Sequence, residues 1–260
     1  MGYDYKNLSP ADFEDLARDL IGRDKGLRFE AFAPGPDQGM DGRHATGKSK
    51  TILQAKHFAG SSFNTLKSAM KKERKSIVAL APTRYTLATS LPLTPQNKKV
   101  LAGIIGPSLK RQSDIYSSKD LDGLLRNNDD LAKKHIKLWL SGNEILEHIV
   151  RAAADTVDAI SREEIEAKVK VYASNPSLQE ARDKLEKNHV VIISGPPGVG
   201  KSTLGEMLSY AHIAEGWNYH AIRSLDDGFA KLNDLKRKIF YFDDFLGTAA
   251  LIPTCVGRDS

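Results

Sequence analysis

Gly195, Pro196, Pro197, Gly198, Val199, Gly200, Lys201 and Ser202 follow the spacing G-x-x-x-x-G-K-[ST]. A run of this kind can wrap a phosphate chain. Its glycines let backbone N–H groups turn inward, Lys201 can reach the β and γ oxygens, and Ser202 can ligate Mg²⁺. Thr203 carries the loop into the helical pattern that follows. Downstream, the apolar run 238–242 ends in Asp243 and Asp244, the form of a Walker B element. There Asp243 would hold the Mg²⁺ shell and Asp244 would orient a water.

A second set of residues lies in the first third of the chain: Glu14, Asp41, Gln54 and Lys56. Gln54 and Lys56 are two apart in a run that reads as a strand, so both side chains face the same way. Asp41, from the preceding strand end, can reach the same place. A carboxylate and one further oxygen can hold Mg²⁺, and a neighbouring lysine can position the attacking water and stabilise charge on a phosphodiester. Asp37 shares a loop with Asp41 and could take its part. Lys67, Lys71, Lys72, Arg74 and Lys75, with only Glu73 among them, form a basic run that either contacts DNA phosphates or is a solvated face. His57 either faces DNA or is structural, while Trp139 and Trp217 fit packing better than base stacking.

These residues need elements to hold them. Ser9-Pro10 followed by Phe13, Leu16, Ala17, Leu20 and Ile21 predicts an N-capped helix carrying Glu14. Strands are predicted over 27–33, 51–57, 76–80 and 85–90, a basic helix over 63–75, and helices over 121–127, 131–140 and 143–160. The charged segment 161–187 is helical with an interruption at Asn175-Pro176, and an apolar strand at 190–194 leads into the phosphate loop. Further strands are predicted at 218–223 and 239–243. Alternating strands and helices give an α/β fold class, with a mixed sheet flanked by helices, a helical connector and a parallel sheet. The expected domains are 1–155, a connector at 156–187, and 188–260. A phosphate-loop domain commonly uses about five parallel strands. Three candidates here read as an incomplete module, with weak or absent nucleotide turnover expected.

The 260 residues are 40% hydrophobic and 27% charged, a balance that buries a core and excludes a disordered tail. A net charge of +5 tilts towards acidic partners without requiring nucleic acid. Cys255 is the single cysteine, which excludes an internal disulfide or a cysteine-rich zinc site and suits a reducing compartment. No secretory signal or membrane-spanning run is read, so the expected location is cytoplasmic and no membrane is expected as a partner.

Glu14, Asp41 and the Gln54-Ala55-Lys56 strand resemble the Mrr-like branch of the PD-(D/E)xK restriction endonuclease superfamily over roughly residues 5–95. The resemblance implies a restriction-endonuclease-like fold and cleavage of double-stranded DNA with Mg²⁺ or Mn²⁺. Asp41 would be the principal metal ligand, Gln54 the second oxygen ligand in place of the usual acid, Lys56 the catalytic lysine, and Glu14 a support from the helix. Residues 165–250, with Asn175 to Lys187 leading into the phosphate loop, resemble the start of the STAND-type NTPases that regulate bacterial defence proteins. That implies ATP with Mg²⁺ at the loop, Ser202 and Asp243 as its metal residues, and a homo-oligomer when the full protein is activated. Together they imply a DNA endonuclease controlled by an ATP-binding module in antiphage defence. The alternatives are an inactive nuclease fold that only grips DNA, and a restriction subunit driven by nucleotide hydrolysis.

Overall fold

The computed structural model describes residues 3–31, 41–47, 49–154, 162–173, 175–232 and 236–243. The chain forms two compact units: Met1–Asn143 with Val169–Ser174, and Glu144–Lys168 with Asn175–Ser260. No helix among the described residues is long and apolar enough to cross a membrane.

In the first unit α1 (Pro10–Lys25) starts as its sequence requires. The Ser9 hydroxyl accepts the Asp12 N–H, the Asp12 carboxylate accepts the Ser9 N–H, and Pro10 fills the first turn, where no amide donor is needed. The stripe Phe13, Leu16, Ala17, Leu20 and Ile21 is fully buried. There follow β1 (Gly42–Thr46), β2 (Ser49–Lys56), α2 (Phe63–Leu80), β3 (Arg84–Thr89), α3 (Pro95–Ile105), β4 (Ile115–Tyr116), α4 (Ser118–Arg126), α5 (Asp129–Lys134) and α6 (Ile136–Leu140).

The four strands form one mixed sheet in sequence order: β1 runs antiparallel to β2, while β2, β3 and β4 run parallel. Helices cover both faces, which is why β2 is buried without a break from Thr51 to Ala55. Leu53, Ala55, Ala88 and Tyr116 pack with the α1 stripe. Ile52, Tyr85, Leu87 and Ile115 pack with Leu66, Met70 and Ile77 of α2 and with Leu101 and Ile105 of α3.

Two expected strands take other forms. The segment at 27–33 pairs only through the bridge Glu30↔Arg43 among the described residues, because Leu27 is already committed: its N–H closes α1 on the Gly22 carbonyl at 2.8 Å. The segment 76–80 is the end of α2. Ile77 continues the helical stripe of Leu66 and Met70, and the chain leaves the helix only at Ala81, in the left-handed region just before Pro82. The expected helix at 131–140 is two, broken at His135. Neither α3 nor β4 was anticipated.

β4 is anchored by Asp114, whose buried carboxylate meets Lys25 at 2.7 Å and Arg84 at 2.6 Å. Burial alone would raise its pKa, but the hydrogen bonds and charges of Arg84 and Lys25 outweigh it and hold it below the usual range. The folded value is depressed, so this stabilisation is complete above about pH 4 and fades as pH falls through the folded value. We expect Asp114→Ala to cost about 3 kcal/mol, since it strands two cations, and Asp114→Asn to flatten the fall in melting temperature below about pH 4. Melting curves against pH check both. An unchanged acid slope in Asp114→Asn would remove the assignment.

The second unit contains α7 (Asn143–Ala154) from its second residue, α8 (Arg162–Val171) up to Lys168, α9 (Pro176–Asn188), α10 (Lys201–Ala214), β5 (Asn218–Ala221), α11 (Leu225–Ala230) and β6 (Lys238–Tyr241). The interruption falls where expected: Asn175 caps α9, its side-chain oxygen accepting the Ser177 N–H at 3.0 Å. β5 and β6 pair in parallel as a two-stranded sheet. The expected strand at 190–194 forms no ladder among the described residues, and Val190 and Ile192 are 64% and 69% exposed. An apolar run becomes a strand only when a neighbour satisfies its backbone groups, and β5 and β6 pair with each other instead.

Candidate functional site

The alternation of β2 sends Gln54 and Lys56 to the α2 face of the sheet and Leu53 and Ala55 to the α1 face. Asp41 enters from the start of β1. Its N–H donates to the Leu53 carbonyl at 3.1 Å, and its carboxylate accepts the Ala55 N–H at 2.6 Å. The Arg18 guanidinium of α1 donates to the Asp41 carbonyl at 2.8 Å. Asp41 is therefore fixed beside β2 at the level of Gln54.

Two further residues complete the cluster, and neither was identified from sequence. Glu73 comes down from α2 and accepts from Lys56 at 2.9 Å, both side chains being about one-fifth exposed. The Tyr85 hydroxyl, from β3, donates to the Gln54 carboxamide oxygen. Burial, with the nearby charges of Glu73 and Asp41, pushes the Tyr85 pKa well up, so the phenol stays protonated. Glu73 had a legible signal: an acid three residues after Met70 and four before Ile77, on an otherwise buried stripe. Tyr85 had none, because its reach depends on the β2–β3 register, where it sits opposite Ile52 and diagonal to Gln54.

The other expected residues are distributed as follows. Glu14 is half-buried on α1, one turn before Arg18 and on the same helix face. Asp37 lies outside the described residues. His57 is packed instead of presented: its ring stacks on Phe13 with centroids 5.2 Å apart, and burial lowers its pKa. Lys71, Lys72 and Lys75 are exposed on α2 and Lys67 is half-buried there, whereas Arg74 turns in to donate to the Ile105 carbonyl. Trp139 is buried, and Trp217 meets His212 edge-on at 5.2 Å.

Among the described residues no group of three or more His, Cys, Asp or Glu could hold a metal ion. A hard cation can instead use one carboxylate and one amide oxygen, completed by water and phosphate. Asp41 supplies the first. Gln54 is 1% exposed and, among the described residues, its Nε2 has no partner. Turning the carboxamide over places Oε1 in that position and lets Nε2 donate to the Tyr85 hydroxyl. A carboxylate at Asp41 and an amide oxygen at Gln54 are donor types that Mg²⁺ or Mn²⁺ would take, and Lys56 follows two residues after Gln54 on the same face of β2.

In the second unit, α10 opens at Gly200, which caps it in the left-handed region at φ +86° where a side chain would be strained. Lys201 folds back over the loop, its amine donating to the Pro196 carbonyl at 2.9 Å. The Ser202 hydroxyl donates to the Asp243 carboxylate at 3.3 Å, so the two residues expected to share Mg²⁺ are together. α10 approaches β6 closely at Gly205, where a Cβ would lie 2.6 Å from the Tyr241 ring. Asp243 follows directly after β6, and Asp244 lies outside the described residues.

Comparison with known proteins bears on this second unit first. Residues 172–259 match the family model described as Novel STAND NTPase 3. The protein y4cD of Sinorhizobium fredii is 54% identical over 153 residues, which make up 59% of this chain and 24% of that protein. The chain therefore spans about a quarter of the length of the relative it matches. No solved structure matches significantly. Residues 172–259 are thus similar to STAND NTPase domains, a class of nucleotide-binding module, and the Ser202–Asp243 contact lies within the matched segment.

Proposed function

We propose that the first unit is a metal-dependent DNA endonuclease and that the STAND NTPase domain controls it, as effector and switch of a bacterial defence protein. The observation that carries the reading is the seating of the Asp41 carboxylate on the Ala55 N–H, the residue of β2 between Gln54 and Lys56. In it, Asp41 and Gln54 hold the cation, which would polarise the phosphodiester. Lys56 stabilises the charge that develops on the phosphate and orients the attacking water. The exposed lysines of α2 offer phosphate contacts that position duplex DNA without reading sequence. ATP binding at 195–202 supplies the control, and self-assembly on activation would bring nuclease units together.

One observation favours a second reading. Gln54 stands where the superfamily usually has an acid, and Lys56 is paired to Glu73, which suits a fold that grips DNA without cutting. Metal dependence separates the two. With supercoiled plasmid and Mg²⁺ or Mn²⁺, the endonuclease reading expects nicking that EDTA stops. It also expects Asp41→Ala to lose metal affinity and at least about 100-fold in rate. Equal metal affinity in wild type and Asp41→Ala would refute it.

A further inference from the structure

Gln54 poses a physical problem that its neighbours answer. A carboxamide has two N–H donors and an oxygen with two lone pairs, and burying it with these unmet is costly. Gln54 is 1% exposed and, among the described residues, its side chain has a hydrogen bond at one end only, from Tyr85. Tyr85 is itself 1% exposed, clamped between Ile52 and Leu87 in the core of the α2 face. Its ring cannot move without disturbing that core, so its hydroxyl is a fixed point. A phenol both donates and accepts, and it therefore anchors the amide in either orientation. Among the described residues the opposite end of the amide is left without a partner, on a strand whose next residue, Ala55, donates its N–H to the Asp41 carboxylate.

We propose that Tyr85 is a positioning residue, which through its hydroxyl fixes the Gln54 carboxamide so that its other end serves the cation site at Asp41. This rests on the reading of Asp41 and Gln54 as the cation site. Tyr85 itself touches neither cation nor DNA and acts only through Gln54. The clash of demands explains why a tyrosine stands on an apolar strand face: phenylalanine would fill the same space but leave both ends of a buried amide unmet. Groups that orient metal ligands from behind contribute about 10- to 100-fold to metal affinity in other sites.

The test is a double-mutant cycle on Mn²⁺ binding, followed by electron paramagnetic resonance on the whole chain, with no cleavage needed. Tyr85→Phe removes one oxygen from the core and keeps the ring. We expect it to weaken Mn²⁺ binding about tenfold, and to have no further effect when Gln54 is already alanine. Full Mn²⁺ affinity in Tyr85→Phe would overturn the inference. So would an equal loss in both backgrounds, since Tyr85 would then act on the fold at large. Asp41→Ala keeps the two levels apart. If wild type shows no Mn²⁺ binding that Asp41→Ala removes, the cation site itself falls and the inference with it. If that binding is present but insensitive to Tyr85→Phe, only the inference falls. Rescue of the Tyr85→Phe loss by Gln54→Glu, whose carboxylate needs no anchor to present an oxygen, would support it further.

Discussion

Lys201→Ala should weaken ATP binding on the order of 100-fold while leaving the fold intact. Lys201 has its amine on the Pro196 carbonyl at 2.9 Å, which holds it over the loop whose spacing implies phosphate binding. Bound triphosphate would take that amine in a charge-assisted hydrogen bond, which contributes about 2.7 kcal/mol and so about two decades of affinity. The Pro196 contact lies within the loop on a partly exposed side chain, and its loss should change stability by less than about 1 kcal/mol. Titration calorimetry with ATP and Mg²⁺ reads the first effect and thermal melting without nucleotide the second. Wild-type affinity in Lys201→Ala would mean that the loop does not bind phosphate in the way its spacing implies. Ser202→Ala should act differently, weakening binding chiefly when Mg²⁺ is present, because Ser202, hydrogen-bonded to Asp243, is the residue expected to ligate Mg²⁺ with it.

The parts of this account that depend on local spacing could be read directly from the sequence. The phosphate loop is a contiguous motif whose glycines, lysine and serine have fixed tasks, and the cap at Ser9 and the break at Asn175 are set by neighbouring residues. Gln54 and Lys56 share a face because a strand repeats every two residues. Parts that depend on distant partners were not legible. The run at 76–80 is as apolar as a strand, and what makes it helical is the stripe begun by Leu66 and Met70 packing on the sheet. The run at 190–194 has the composition of a buried strand, yet among the described residues it pairs with no neighbour and forms no ladder. Tyr85 reaches Gln54 across a strand register that the residues flanking Gln54 do not encode, whereas Glu73 was marked only by its place on the apolar stripe of α2.

Lys56→Ala carries the second large effect, on catalysis. Its amine is the one cation in the cluster that touches an acid from α2, at 2.9 Å from Glu73 and about one-fifth exposed. On the proposed nuclease reading, removing it would take away the positive charge that stabilises the phosphodiester and would also leave the Glu73 carboxylate without its Lys56 partner beside an incoming phosphate. Loss of one preorganised charge at a reacting centre costs roughly 10²- to 10³-fold in rate. Asp41 and Gln54 keep their partners in this variant, so metal binding should persist. Glu73→Gln separates the two contributions, since it frees Lys56 without removing it.

Cleavage of supercoiled plasmid in Mg²⁺, wild type against Lys56→Ala, with Mn²⁺ binding measured on the same preparations, tests the nuclease assignment most directly. The account predicts nicking by the wild type, at least about 100-fold less by Lys56→Ala, and equal Mn²⁺ affinity in both. Plasmid left intact by a metal-loaded wild type, or cut equally well by Lys56→Ala, would contradict it.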